Sequence, residues 1–258
     1  MEDFFDKVMK ELQNSKRIIT AVLTDIEGDD LSQNLLGEMF LFDSEGILEF
    51  SSDKMEEELE RYLVEEDIKN QLLALNKSNK SESELKKIKL DEKNEIEFFL
   101  EPVMEKAHLT VFGAGHIAGP LVKICSLMEF SITVVDDREE FLNFENFPTA
   151  DQLLTLPYSE YFGNADIREN DYLVIVTRGH QYDYQVLKNV INSNAKYIGM
   201  IGSSRKIKTI YDQLREDGIS EEQLEQIYSP IGLDIGSETP AEIAVAIAAE
   251  IIAVRRGK

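Results

Sequence analysis

Residues 108–137 read HLTVFGAGHIAGPLVKICSLMEFSITVVDD. Leu109 to Phe112 is a short apolar run of β type, and it meets Gly113-Ala114-Gly115. An apolar segment at helical spacing follows, then a second β-rich run, Ile132 to Val135, ending on Asp136 and Asp137. The order is strand, glycine turn, helix, strand, acid, which is the opening of a dinucleotide-binding βαβ unit. Gly113 permits the tight turn, and Gly115 lets backbone come close to a pyrophosphate. Ala118 stands where a small residue keeps helix and strand together. Amides at the helix start, with the helix dipole, favour an anion there. Asp136 lies 21 residues beyond Gly115, where an acid is expected to bond ribose hydroxyls.

From Ala107 onward β-type runs alternate with helical ones. Strands are expected at Leu109–Phe112, Ile132–Val135, Tyr172–Thr177 and Tyr197–Ile201, with a weaker one at Leu153–Leu156. Helices are expected at Ile117–Met128 and Tyr184–Ile191. The runs at 172 and 197 are mostly apolar, as parallel strands covered on both faces are. Ser220 to Gln223 fits a capping box. Thr239-Pro240-Ala241-Glu242 fits a second, opening an alanine- and isoleucine-rich helix that runs to about Val254. That helix is expected against the sheet or at a contact between protomers, a candidate homodimer surface. The fold class is α/β: a doubly wound, parallel, Rossmann-like sheet over residues 105–258 behind a smaller α/β domain over residues 1–104.

The front domain opens with a helix over residues 1–15, on which Phe4, Phe5, Val8, Met9 and Leu12 recur at helical spacing. Three short β-type runs follow, Arg17–Leu23, Glu38–Phe42 and Gly46–Phe50. A charged helix, Asp53–Leu75, reads as a solvated face. Asn76–Lys93 is polar and reads as a flexible segment, and Glu95–Val103 is a last strand closed by Pro102.

Fifty acids against 27 bases give a net charge of −23, a surface that repels nucleic acid. No apolar run is long enough to span a membrane, and residues 1–13, MEDFFDKVMKELQ, lack an export signature. With a single cysteine, the cysteine arithmetic yields neither a disulfide framework nor a cysteine-pair metal motif. The reading is cytoplasmic, with no metal site assigned. Cys125 shares a helix face with Leu121 and Met128 and reads as a core residue. There is no G-x-S-x-G elbow.

Chemistry concentrates at loops following strands. His116 follows Gly115, and Thr177-Arg178-Gly179-His180 follows the fourth strand. In a sheet of order 3-2-1-4-5 those loops flank the crevice at the switch point. This places His116, Arg178 and His180 together, as ligand contacts or a proton-transfer pair, so His116 and His180 are the catalytic candidates. Gly202-Ser203-Ser204-Arg205-Lys206 offers a second anion site from hydroxyls, helix amides and two cations. The loop Pro230–Pro240 carries Asp234 and Glu238, which read equally as ligand contacts or as parts of an ordered turn.

FGAGHIAGPLVKIC, ITVVDDREEF, YLVIVTRGHQYD, YIGMIGSSRKI and SPIGLDIGSETPAEIAVAIAAEIIA, in that order, resemble the xanthine dehydrogenase accessory protein family (XdhC/CoxI-like). The resemblance implies a protein that binds a molybdopterin-type cofactor, as pterin phosphate or dinucleotide, and delivers it to a molybdenum hydroxylase client. On that basis Gly113, Gly115, His116, Asp136, Arg178, His180, Ser203, Arg205, Asp234 and Glu238 form the ligand-facing set. The front domain departs from the family pattern. Glu27 to Leu31 replaces a G-S-x-P-R-type loop, and Ser51 to Glu56 replaces a G-G-C-V-E turn, with Met55 near the place of the cysteine. Two other readings stand beside this one: an NAD-dependent oxidoreductase, and a non-catalytic NAD(H)-sensing protein.

Overall fold

The computed structural model describes residues 4–14, 18–28, 31–42, 47–63, 70, 83–103 and 106–258. Two compact units divide at Glu105 and Lys106.

In the first unit, β1 (Ile18–Glu27), β2 (Met39–Phe42), β3 (Ile47–Phe50), β4 (Glu84–Lys89) and β5 (Glu95–Val103) form one antiparallel sheet of order β3-β2-β1-β5-β4. Helix α1 (Phe4–Asn14) contributes Phe4 and Val8, which pack with Ile18 and Leu41. The opposite cluster gathers Ile19, Ala21, Leu23, Phe40, Phe42 and Phe98 with Met55 and Leu59 of α2 (Asp53–Leu63). Alternation along the strands produces these two faces. The helix expected over Asp53–Leu75 is described to Leu63, and the rest lies almost wholly outside the described residues. The expectation of a flexible segment at Asn76–Lys93 is corrected over its second half, because Glu84–Lys89 is an edge strand paired with β5. Among the described residues of this stretch, only Ile88 and Leu90 are buried. Its lysines suit an edge that must resist further pairing, so it reads as polar in sequence. Pro102 does not close β5 but pairs within it, opposite Ile19.

In the second unit, β6 (His108–Phe112), β7 (Ser131–Asp136), β8 (Gln152–Thr155), β9 (Asp171–Ile175) and β10 (Tyr197–Met200) are all parallel, in the order β10-β9-β6-β7-β8. Numbered within the unit this is 3-2-1-4-5 read from the far edge, with the switch point between β6 and β9. Tyr228 adds a parallel bridge to Gly199 outside β10. Successive strand residues enter opposite layers. Leu109, Val111, Ile132, Val134, Tyr172 and Val174 pack with α3 (Ala118–Leu127) and α8 (Pro240–Arg255). Phe112, Val135, Leu173, Ile175 and Met200 pack with α4 (Tyr158–Asn164), α5 (His180–Val190), α6 (Ser204–Glu216) and α7 (Glu221–Glu225). Both expected capping boxes are formed, at Ser220/Gln223 and Thr239/Glu242. Residues 138–150, between β7 and β8, form turns without helix and bury Leu142, Phe147 and Ala150.

Candidate functional site

Four loops meet at the carboxyl edge of the parallel sheet. The first follows β6. Gly113 has φ of +113°, and a β-carbon there would lie 2.5 Å from the Val176 carbonyl oxygen. The glycine is needed both for its backbone conformation and so that the loops after β6 and β9 can touch. Its amide donates to the Val135 carbonyl at 2.8 Å. Gly115 and His116 are exposed, and a β-carbon at Gly115 would meet nothing within 4 Å. Helix α3 begins at Ala118 with no side-chain cap on its first turn. Gly115, His116 and Ile117 therefore present main chain toward open space at a helix start, where an anion is favoured.

The loop after β7 departs from expectation. Asp136 is 1 % exposed. Its Oδ2 accepts from the Ala114 amide at 2.7 Å and from Arg138 Nη2 at 2.8 Å. Its Oδ1 accepts from Arg138 Nε at 2.8 Å and from the Arg138 amide at 3.0 Å. Burial alone would raise this carboxyl. The hydrogen bonds from Arg138 and Ala114 outweigh burial and hold it below the usual carboxylate range. The expectation that Asp136 grips a sugar is corrected: both oxygens are committed, and the group locks the glycine turn to β7. Asp137, one residue on, is the acid that faces the crevice, and Arg178 Nη2 donates to its Oδ2 at 3.0 Å.

The loop after β9 supplies Arg178 and His180, both exposed. Arg178 is pinned between Asp137 and Tyr182, donating to the Tyr182 hydroxyl at 2.5 Å with its guanidinium 4.6 Å from that ring centroid. His180 is the first residue of α5. No hydrogen bond among the described residues joins His116 to His180, and neither ring has the partner that would fix a tautomer for proton transfer. Tyr158 is buried edge-on to Tyr182. Burial and the nearby Asp136 and Asp137 raise its hydroxyl well above the ordinary range.

The loop after β10 delivers Ser203 as the α6 cap, accepting from the Lys206 amide at 3.3 Å, with Arg205 exposed beside it. The expected pair of cations is reduced to one. Lys206 turns inward to ion-pair with the fully buried Asp183 and donates to the Ile201 carbonyl at 3.2 Å. Thr177 Oγ1 donates to the other Asp183 oxygen at 2.6 Å. Burial pushes the Asp183 carboxyl up, against the pull of Lys206 and Thr177. Arg205 has no acidic partner among the described residues.

Asp234 and Glu238 are exposed, and no contact among the described residues ties them to this set. Their loop is fixed from below. The Gly232 amide donates to Glu250 Oε1 at 3.0 Å, and Tyr197 donates to the same oxygen at 2.5 Å. Arg255, at the end of α8, donates to the Met128 carbonyl just past α3, so the two helices run in the same direction. At ~1.5 Å per residue, the longer α8 carries its N-terminal loop to the same end of the unit as the glycine turn. Cys125 is buried and its thiol is pushed up to about 12, a core residue rather than a nucleophile. Met55 is likewise fully buried in the first unit. Part of Glu27–Leu31, Asp29 and Asp30, lies outside the described residues. Among the described residues no three metal-binding side chains converge, and no helix is long and apolar enough to cross a membrane.

Arg138, Tyr182 and Asp183 were not singled out in the sequence, Asp137 was read only as the end of a strand, and Lys206 was read as a ligand-facing cation rather than a buried support. Their roles depend on which strand ends are neighbours. The one available signal was the run of five charged residues, Asp136 to Glu140, at a strand end.

The family model of the XdhC Rossmann domain matches residues 109–251, from β6 into α8. Over 154 residues the chain is 36 % identical to Uncharacterized protein YqeB of Escherichia coli (strain K12), covering 58 % of this chain and 28 % of that protein. Over 158 residues it is 32 % identical to a probable xanthine dehydrogenase component of Bacillus subtilis (strain 168), covering 61 % of this chain and 46 % of the relative. The chain thus spans less than half the length of either curated relative. A crystal structure of a xanthine dehydrogenase from Bacillus halodurans superposes with a TM-score of 0.64 at 23 % identity, covering 98 % of this chain and 66 % of the other. That likeness is one of fold.

Proposed function

This chain belongs to the XdhC Rossmann-domain family, and from that premise we propose that it binds a molybdopterin-type cofactor and hands it to a xanthine dehydrogenase-like client. One observation carries the reading. Gly115 stands exposed at an uncapped helix start with open space around it, and Arg205, exposed on the loop after β10, has no acidic partner among the described residues. In a chain of net charge −23 an arginine without a described acidic partner and an uncapped helix start, both on loops at the carboxyl edge of one sheet, suit an anion. A terminal phosphate fits these donors. Gly115, His116 and Ile117 would hold it through main chain, with Arg205 and Ser203 of the loop after β10 adding a cation and a hydroxyl, while Arg178 stays on Asp137. The cofactor, when bound, supplies the metal chemistry that the client uses. The chain's own residues bind, orient and shield.

The client is proposed from the name of the Bacillus subtilis relative. The nicotinamide readings are weaker here, because the acid that would hold a ribose is sequestered and neither histidine is paired for proton transfer.

The test is fluorescence titration of the full chain with molybdopterin, for the wild type and Arg205→Ala. Saturable binding weakened about tenfold by the variant, a loss of about 1.4 kcal/mol, is expected. A second step mixes the loaded protein with cofactor-free hydroxylase and follows recovery of its activity. Absence of wild-type binding would sink the proposal.

A further inference from the structure

Rossmann crevices ordinarily hold a nucleoside on the side of the second strand, with an acid at that strand's end bonding the ribose. Here that strand is β7, and its end is filled by the protein itself. Asp136 receives four hydrogen bonds, three of them from Arg138. The Arg138 guanidinium, its side chain 21 % exposed, lies 4.3 Å from the centroid of the Phe141 ring. Asp136, Arg138 and Phe141 thus form a stack over the strand end. The next acid, Asp137, is no substitute, because Arg178 engages it. One main-chain amide of the glycine turn, that of Ala114, is also consumed by Asp136.

We propose that this crevice is closed on its nucleoside side, so that it selects a phosphate monoester of a ring compound and discriminates against ribose-bearing dinucleotides. The inference rests on the proposed cofactor reading and names which form of the cofactor is taken: pterin phosphate, in preference to its dinucleotide. The chemistry is differential. A dinucleotide must either forgo the carboxylate that would accept from its ribose hydroxyls or displace Arg138 from a buried partner. Either costs affinity, since a buried charge deprived of its partner is poorly tolerated. A monoester asks neither.

The experiment is calorimetric titration of the full chain with three probes: molybdopterin, its cytosine dinucleotide, and ADP-ribose. For the wild type, molybdopterin is expected to bind at least about tenfold tighter than ADP-ribose, and the added nucleotide is expected to bring no gain. Arg138→Ala frees the carboxylate, so ADP-ribose affinity should rise about tenfold relative to molybdopterin affinity. Wild-type binding of ADP-ribose or the dinucleotide as tight as that of molybdopterin, or no gain for ADP-ribose in a folded Arg138→Ala protein, overturns the inference and leaves the cofactor reading standing. Rejection of all three probes overturns the cofactor reading and, with it, the inference that rests on it. The wild-type arms need no variant, so the inference stays testable if Arg138→Ala does not fold.

Discussion

Asp136 and Asp137 are adjacent, identical in chemistry and opposite in use. Successive residues at a strand end point to opposite sides, so one carboxylate is buried against the glycine turn and the other faces the crevice. The spacing from the glycines picked out Asp136 as a sugar contact, and the fold turns that carboxylate inward instead. Only the tertiary partner, Arg138, settles which acid turns in. Because its folded-state pKa is depressed, Asp136 stabilises the fold above the ordinary carboxylate value of about 3.9. That contribution is lost as pH falls through the still lower folded value. Asp136→Asn should therefore cost about 2 kcal/mol at neutral pH, below the usual buried-pair figure because Arg138 is partly exposed. The gap from wild type should shrink between about pH 4 and pH 3. Urea denaturation of both proteins across that range checks it. A gap that persists unchanged at pH 3 would show that shape, not charge, is what the carboxylate provides.

Between elements, the buried Asp183 of α5 and Lys206 of α6 tie the loop after β9 to the loop after β10. Here the sign is opposite to that of Asp136. Burial raises the Asp183 carboxyl, so its ionised form burdens the fold above its folded pKa, and protonation relieves that burden as pH falls. Lys206→Met leaves the carboxylate uncompensated and should destabilise the protein by about 3 kcal/mol at pH 7, with the deficit narrowing on acidification toward pH 5. Thermal denaturation of wild type and variant at the two pH values measures this, and a deficit independent of pH would refute the assignment. Elements of this kind were legible in sequence to different depths. The parallel strands and both capping boxes were legible because apolar runs and Ser/Thr-x-x-Gln/Glu spacing are local signals. Strand β4 was not, since an edge strand of lysines with Ile88 as its buried anchor resembles a loop. Nor was the inward turn of Lys206, which stood in sequence as a free cation beside Arg205.

At the scale of the molecule, charge is unevenly spread between the two units. Residues 1–105 hold 28 acids against 13 bases, and residues 106–258 hold 22 against 14. The smaller unit thus carries the larger excess of negative charge, and self-repulsion weighs on it more heavily. Its described exposed ion pairs, Lys87 with Glu27 and Glu95 among them, return little, since such pairs contribute about 0–1 kcal/mol each. Salt screens both effects, shortening the interaction range from ~10 Å at 0.1 M to ~3 Å at 1 M, but it has more repulsion than attraction to remove. Raising sodium chloride over that interval should therefore stabilise the first unit more than the second. Hydrogen exchange resolved by peptide reads the two units separately in the intact chain. Protection in strands β1, β2 and β5 should rise with salt by a larger factor than in β6, β7 and β9. Equal gains in both sets would point to a general salting-out of apolar surface, and a loss confined to the first unit would mean that its ion pairs outweigh its net charge.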